Sequence, residues 1–293
     1  MEKLIIKQGA GIGDILFSLK LARILHEQYE CGIIWPLHTS LLKDFKSYIQ
    51  IPYIKWVEES DYKWLNDYQM FNNPKSDSWS VRHTVKVDNK TSIFPLCEAA
   101  QDPQGKYTGG SIMCKKYDTF NYSLKNWQDD IIITRNREKE DELFYNVLGL
   151  TDGEEYMYVN KKYNSIPGSR PIDSTFMLDG LINATGKVVY GDVINGFSVF
   201  DWIKVFENAK DIHVVSTSLF YILEAMHKDL PPVTIYNRDH STNLNQLNCI
   251  IPSLKKEWIF CRAIPVSRSR DGDKIKCDIQ KDHYKVCDMS NYN

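Results

Sequence analysis

The sequence predicts an α/β fold with two domains, and three observations support this. The chain has 293 residues, which is enough for two domains that each have their own core. Near the N-terminus a short apolar run, a glycine-rich turn and an amphipathic helix follow one another. A strand–turn–helix–strand pattern occurs again at 211–236. We therefore expect two mostly parallel sheets, each flanked by helices.

The composition is that of a folded soluble protein, with 43% hydrophobic and 25% charged residues. A net charge of −2 argues against a general nucleic-acid binder. No apolar run approaches the roughly 20 residues of a membrane span. Lys7 and Gln8 interrupt the only early apolar run, so no signal peptide is expected. The predicted location is therefore the cytoplasm, and the seven cysteines, which lack framework spacing, are predicted to be reduced thiols.

The first informative stretch is KLIIKQGAGIGDILFSLKLARILHEQY, at Lys3–Tyr29. Its apolar run predicts a buried strand, and its glycines allow a tight turn with close backbone approaches. A helical period follows, with one apolar face formed by Ile15, Leu16, Leu19, Ala22 and Leu25. Strand, glycine turn and helix together predict the start of a Rossmann-like unit, whose turn can receive an anion or a substrate oxygen.

Asp14 lies at the start of this helix, and two roles are open for it. It could cap the helix, since aspartate is a preferred N-cap residue. It could also act as a general base at the mouth of a site. The glycine spacing is not the G-x-G-x-x-G of a dinucleotide site, and no G-K-[ST] follows. A nicotinamide enzyme and a P-loop protein are therefore not expected.

The segment IIKQGAGIGDILFSLKLARIL resembles the opening of the heptosyltransferase-like glycosyltransferases. This resemblance implies the GT-B architecture, in which two Rossmann-like domains face one another across a cleft. It implies that Gly11, Ile12 and Gly13 form the acceptor-side loop. It also implies that Asp14 is the catalytic base.

The second informative stretch is DIHVVSTSLFYILEAMHKDLPPVTIYNR, at 211–238. Ser216, Thr217 and Ser218 follow a predicted strand and precede a predicted helix. They could be caps, or they could surround a phosphate. The family resembled has D-[ST]-G-x-x-H-L-A-A-A here, which binds the donor diphosphate. Thr217 and Leu219 match it, whereas Ser216, Ser218 and Tyr221 stand where aspartate, glycine and histidine are usual.

Two further residues are donor-site candidates. Lys161 follows the predicted strand Tyr156–Val159, and in GT-B enzymes this loop often faces the donor pyrophosphate. A solvated lysine at a strand end is the equal alternative. Glu224 lies two turns into the second helix, where it could reach a ribose or be a surface charge.

The predicted domains are residues 1–152 on the acceptor side, residues 153–261 for donor binding, and a polar tail or weak hairpin at 262–293. Near the end of the second domain we expect a short strand at Cys249–Ile251 and a helix at Leu254–Phe260.

No metal site or cofactor is expected. Asp271-Gly272-Asp273 has no strand before it, and a turn is the physical interpretation of Asp-Gly in that setting. A zinc site from Cys261, Cys277, His283 and Cys287 is not favoured, because no C-x-x-C pair occurs.

The predicted function is a metal-independent, inverting hexosyl- or pentosyltransferase. It would use a nucleotide-diphosphate sugar as co-substrate and a hydroxyl of a glycan or related molecule as acceptor. The alternative is a non-catalytic nucleotide-sugar or glycan-binding protein on a degenerate GT-B fold, which the departures at Ser216, Ser218 and Tyr221 suggest.

Overall fold

A computed structural model of the chain describes residues 1–9, 11–106, 112–163, 172–173, 186–228, 230–236, 247–265 and 277–282, the side chains of 172–173, 261–265 and 277–282 excepted. Internal contacts divide the chain into two compact units, Met1–Thr134 and Arg135–Asn293. Each unit contains one predominantly parallel sheet, so the predicted α/β class with two Rossmann-like domains is confirmed. The predicted facing of the domains across a cleft stays a prediction. No helix in the described part of the chain is long and apolar enough to cross a membrane.

The described strands of the first unit are β1 (Lys3–Ile6), β2 (Gly32–Leu37), β3 (Ile54–Glu58), β4 (Phe71–Asn72), β5 (Ser80–Val81), β6 (Val85–Lys86) and β7 (Thr91–Phe94). The main sheet has the order β3-β2-β1-β7-β6, and only β6 runs antiparallel to its neighbour. Strands β4 and β5 form a separate antiparallel pair. The order 3-2-1-4 of the parallel strands is that of a doubly wound Rossmann sheet.

The described α-helices of this unit are α1 (Ile12–Phe17), α2 (Leu19–Tyr29), α3 (Thr39–Tyr48) and α4 (Ile112–Asp118). Described 3₁₀ helices lie at Glu59–Asp67, Cys97–Ala100 and Trp127–Asp130. The five residues of the predicted apolar face are all fully buried. The helix breaks at Ser18, whose hydroxyl donates to the carbonyl of Asp14 at 2.7 Å. Such back-bonding by serine competes with the helical ladder and often bends helices.

The described strands of the second unit are β8 (Tyr156–Asn160), β9 (Lys162–Tyr163), β10 (Ile172–Asp173), β11 (Lys187–Tyr190), β12 (Asp211–Val215), β13 (Val233–Tyr236), β14 (Trp258–Pro265) and β15 (Cys277–Asp282). The main sheet has the order β11-β8-β12-β13-β14-β15, parallel except for β15. Strand β15 pairs with β14, so the hairpin alternative for the predicted tail is seen within the described residues. Its helices are α5 (Arg137–Asp141), a π-helical turn (Glu142–Val147), a 3₁₀ turn (Val199–Trp202), α6 (Ile203–Asn208), α7 (Leu219–Ala225) and a 3₁₀ turn (Ile251–Ser253).

The two compact units divide between Thr134 and Arg135, and the domain boundary at residue 152 stays a prediction. The Arg135 guanidinium binds the fully buried carboxylate of Glu140, with Nε to Oε1 at 2.8 Å. It also binds Glu207 on α6, with Nη2 to Oε2 at 2.8 Å. These ion pairs hold α5 against α6, so the connecting helices pack as part of the second unit.

Two predicted elements at the end of the second unit are wrong. The predicted helix Leu254–Phe260 is replaced by β14, which lies parallel to β13. Trp258 and Phe260 are buried and Ile259 between them is less so, which is the two-residue alternation of a strand. The predicted strand Cys249–Ile251 is instead a turn that leads into a 3₁₀ helix. Leu254 and Trp258 are both buried and four residues apart, a spacing that also fits a helix.

Two cysteines depart from the prediction of reduced thiols. Cys31 and Cys97 are free, as expected, whereas Cys114 and Cys249 are each in a disulfide bond. Cysteine spacing along a sequence does not identify which side chains a fold brings within bonding distance.

Glu224 on α7 is predicted to be a stability determinant. Its fully buried carboxylate accepts from the backbone N–H of Lys255 at 2.5 Å and from Trp258 Nε1 at 2.8 Å. Replacing Glu224 with Leu leaves these donors unpaired, so the second unit should lose about 2–4 kcal/mol of unfolding free energy. The midpoint of urea unfolding measures this. The exposed Glu142→Leu should change stability by less than about 0.5 kcal/mol, and equal midpoints would contradict the assignment.

Candidate active site

The first candidate site lies at the carboxyl edge of the first sheet, where the strand order reverses. The chain places β2 and β3 on one side of β1 and β7 on the other. Ligands of doubly wound sheets bind outside the strand ends at this reversal. Two backbone bonds join the loops there: Lys7 N–H donates to Phe94 O at 2.9 Å, and Cys97 N–H donates to Lys7 O at 2.8 Å.

The acceptor-side loop leads directly into α1. Gly11 is the N-cap residue with φ of 84°, a left-handed conformation that favours glycine. A Cβ on Gly11 would also lie 2.4 Å from Asp14 Oδ2, so a side chain here would displace the Asp14 carboxylate. Ile12 and buried Gly13 form the first helical residues, and Asp14 is the third. Asp14 therefore does not occupy the N-cap position, although a carboxylate in the first turn interacts favourably with the helix dipole.

Asp14 is held by a buried lysine on α4. Lys116 Nζ lies 3.0 Å from Asp14 Oδ1, and the Lys116 side chain is 3% exposed. Lys116 Nζ also donates to Gln8 Oε1 at 2.5 Å. The Asp14 side chain is 36% exposed, so it remains accessible to a substrate. The pair fixes one carboxylate oxygen and leaves Oδ2 beside Gly11.

A second ion pair lies in the same loops. Lys7 Nζ contacts Glu98 Oε1 at 2.5 Å, and the Glu98 side chain is 9% exposed. Glu98 Oε2 is buried and has no hydrogen-bond partner in the structure. Lys7, Glu98 and Lys116 are not predicted as site residues from the sequence. A polar Glu98 just after a buried strand was the available signal, whereas nothing distinguishes Lys116 from other lysines in its charged segment.

Cys97 reports the electrostatics of this cluster. Burial is the largest cause that raises the pKa of its thiol, and the Glu98 carboxylate raises it further. Lys116 and Lys7 act in the opposite direction, and Asp14 adds a smaller upward effect. The four charged groups therefore all influence the pKa of one thiol.

The second candidate site lies at the corresponding reversal of the second sheet. Strand β8 has β11 on one side and β12 on the other, and Asn160 pairs with Val214. The parallel register then places Lys161 beside Val215, the residue that precedes Ser216. The predicted donor residues Lys161 and Ser216–Leu219 are thus brought to neighbouring strand ends, at the kind of reversal where α/β sheets bind ligands.

The hydroxyl residues form a short turn between β12 and α7. Ser216, Thr217 and Ser218 are half-buried, and Ser218 makes no side-chain cap bond. Thr217 Oγ1 accepts a bond of 3.3 Å from the N–H of Leu219, a local side-chain contact within the turn. Leu219 and Tyr221 are buried and pack in the core.

The two lysines after β8 differ in their contacts. Lys161 Nζ lies 5.6 Å from the ring centroid of Tyr190, a cation–π arrangement. Lys162 Nζ lies 2.5 Å from Asp192 Oδ1, and this ion pair neutralises the Lys162 ammonium. Lys161 thus lies near an aromatic ring, and both its donor role and the solvated alternative stay predictions. A Cβ on Gly191 would lie 2.1 Å from Tyr158 Oη, so the loop after β11 packs closely on β8.

Glu224 does not lie in the turn. It is fully buried, which corrects the surface-charge alternative, and both oxygens accept bonds from this unit's own donors.

No group of three or more His, Cys, Asp or Glu side chains within the described ranges is arranged to hold a metal ion. Asp271–Asp273, His283 and Cys287 lie outside the described residues.

No known family's sequence pattern matches the chain, and no curated protein matches it in sequence. Solved structures do resemble it. A family 9 glycosyltransferase from Veillonella parvula is 9% identical with a TM-score of 0.44, and the match covers 80% of each chain. E. coli heptosyltransferase WaaC with ADP is 12% identical with a TM-score of 0.39, covering 80% of this chain and 87% of that one. The iron-containing dodecameric glycosyltransferase TibC from E. coli is 9% identical with a TM-score of 0.43, covering 80% and 58%.

These proteins are of the class that the N-terminal motif resembles. At such identities and TM-scores the likeness supports no conclusion about activity, so we derive the function from the chain's own residues.

Alkylation of Cys97 tests the charge cluster without an activity assay. Glu98→Gln removes a carboxylate that raises the thiol pKa, so the thiolate fraction at pH 8 should increase. Iodoacetamide should then modify Cys97 a few times faster, measured by mass spectrometry of its peptide. The exposed Glu27→Gln should leave the rate unchanged. A rate that stays equal or falls in Glu98→Gln would contradict the arrangement.

Proposed function

We propose that the protein is a glycosyltransferase that moves a sugar from a nucleotide-diphosphate sugar to a hydroxyl of a glycan or related acceptor. The observation that carries the proposal is the Asp14 carboxylate. It lies at the reversal point of a doubly wound sheet, is held on one oxygen by the buried Lys116, and remains partly exposed.

Asp14 acts as the general base in this proposal. Its Oδ2 takes the proton of the acceptor hydroxyl as that oxygen attacks the anomeric carbon of the donor. The bond between the anomeric carbon and the diphosphate oxygen breaks, and the electron pair leaves with the diphosphate. Because the attack is direct, the anomeric configuration inverts.

Lys161 and the turn at Ser216–Leu219 are the proposed donor site. A lysine ammonium is a compact charge for a phosphate, and hydroxyls with backbone N–H groups can bind its oxygens. These groups would stabilise the negative charge that develops on the leaving diphosphate. Glu224 is left out of this site because its oxygens bind Lys255 and Trp258.

The non-catalytic binding protein remains the alternative, and the departures at Ser216, Ser218 and Tyr221 are the residues that suggest it. It would retain nucleotide or glycan binding and show no transfer. A screen of nucleotide sugars for binding and hydrolysis distinguishes the two functions.

Asp14→Asn should lower transfer by about 10²–10⁴-fold, because the amide cannot accept the proton. Donor affinity should stay close to that of the wild type, whereas the unfolding midpoint should fall because the buried Lys116 loses its opposite charge. Radiolabelled sugar transfer measures the activity, and calorimetry measures donor affinity. Asp118→Asn, an exposed change on α4, is the matched control. Transfer within a few-fold of wild type would leave Asp14 with a structural role only.

Thr217→Glu should weaken nucleoside diphosphate binding by about tenfold, which corresponds to roughly 1.4 kcal/mol. The added carboxylate repels the diphosphate. Thr217→Gln has a similar size without the charge, and it should have the smaller effect in calorimetry. Equal affinity in wild type and Thr217→Glu would place the donor elsewhere.

Transfer should persist in excess EDTA, because in this proposal Lys161 and backbone N–H groups bind the negatively charged diphosphate and no metal ion is needed. The rate with and without the chelator is the measurement. Loss in EDTA with recovery in Mn²⁺ would overturn this donor site.

A further inference from the structure

The first unit contains a cavity of about 320 Å³ at the carboxyl edge of β1, β2 and β3. Lys7, Gln8 and Gly9 form one wall, and Glu58 and Glu59 belong to its lining. The volume lies at the lower end of small-ligand pockets, which span roughly 300–1,000 Å³. It therefore suits a ligand of one or two sugar rings.

The cavity shares its wall with the loop that carries Asp14. Gln8 Oε1 accepts from Lys116, and Lys116 binds Asp14. A ligand that contacts Gln8 is thus connected to Asp14, the proposed base, through two polar contacts: Gln8 with Lys116, and Lys116 with Asp14.

The charges of the lining favour hydroxyl donors over anions. Lys7 is neutralised by Glu98, and Lys63 is the other lysine of the lining. Glu58 and Glu59 contribute two carboxylates, which balance the two lysines of the lining in formal charge; because Lys7 is paired with Glu98, the two carboxylates outnumber the remaining ammonium, that of Lys63. Glu58 Oε1 accepts from the Thr39 hydroxyl, which orients that carboxylate.

Glu59 lies directly over the glycine wall. A Cβ on Gly9 would be 2.0 Å from Glu59 Oε1. Carboxylates accept hydrogen bonds from hydroxyls and repel other carboxylates. Half-buried Tyr62 adds an aromatic surface to the same lining.

We propose that this cavity binds the acceptor, and that the acceptor end is an uncharged, polyhydroxylated sugar bound by Glu58 and Glu59. Sugars with a carboxylate at this end are disfavoured. The inference rests on the proposed function, and it adds the substrate class to it.

Matched sugar pairs test the selectivity on the full chain. The probes are the methyl glycosides of glucose, galactose and mannose and the corresponding methyl uronides, which differ by one carboxylate. Saturation-transfer NMR titrations give the dissociation constants. At least one neutral glycoside should bind about tenfold more tightly than its uronide. Uronides that bind equally or more tightly, or no binding by any neutral probe, would overturn the proposal.

Variants then locate the selectivity. Glu58→Gln and Glu59→Gln should weaken the neutral glycoside by about tenfold and reduce its advantage over the uronide. Gly9→Ala should act like Glu59→Gln, because the new methyl displaces Glu59 without changing charge. Glu155→Gln, an exposed carboxylate of the second unit, is the control. Cavity variants that match this control would place sugar binding elsewhere.

Nucleoside diphosphate binding by the same samples separates the two proposals. Nucleotide binding without neutral-sugar preference removes the cavity assignment alone. Sugar preference without any nucleotide binding leaves the cavity assigned and removes the glycosyltransferase proposal.

Discussion

The buried ammonium of Lys116 is the constraint on which the first site depends. An ammonium removed from water costs several kcal/mol unless its donors are paired, so Asp14 and Gln8 are held where they satisfy it. The next residue, Tyr117, donates its hydroxyl to the Phe17 carbonyl at 2.6 Å, which fixes α4 against α1. Phe17 also packs edge-on to Trp127, with ring centroids 4.9 Å apart. Aromatic packing between these helices thus fixes where Lys116 contacts Asp14 at the edge of the sheet.

Both candidate sites follow from one topological rule. In each unit the first strand lies inside the sheet, and the strand order runs outward from it first on one side and then on the other. The loops that follow these strands meet at this reversal. The charged groups at the first reversal are those of Lys7, Glu98, Asp14 and Lys116. The groups at the second are Lys161 and the hydroxyls of Ser216–Ser218. In the proposed function, Asp14 would act as the base at the first reversal, and Lys161 with the hydroxyl turn would bind the donor diphosphate at the second.

Local pattern predicted much of this fold from the sequence. The strands Asp211–Val215 and Val233–Tyr236 and the buried face of the first helix occur as expected, because short-range periodicity determines them. The glycine turn before Asp14 was also found. The partners Lys116 and Glu98 were not, since each lies about a hundred residues from its contact and spacing does not encode such pairs. Strand β14 was missed because the apolar residues Leu254 and Trp258 are four positions apart, a spacing that fits both a helix and a strand.

Amide hydrogen exchange with a panel of nucleoside diphosphates tests the central claim most directly. We expect at least one nucleotide to slow exchange at 160–163, which runs from the end of β8 into β9, and at 216–219, which joins β12 to α7. Exchange at 7–14 should change little with the nucleotide alone. Protection confined to 7–14, or no protection by any nucleotide of the panel, would contradict a donor site in the second unit.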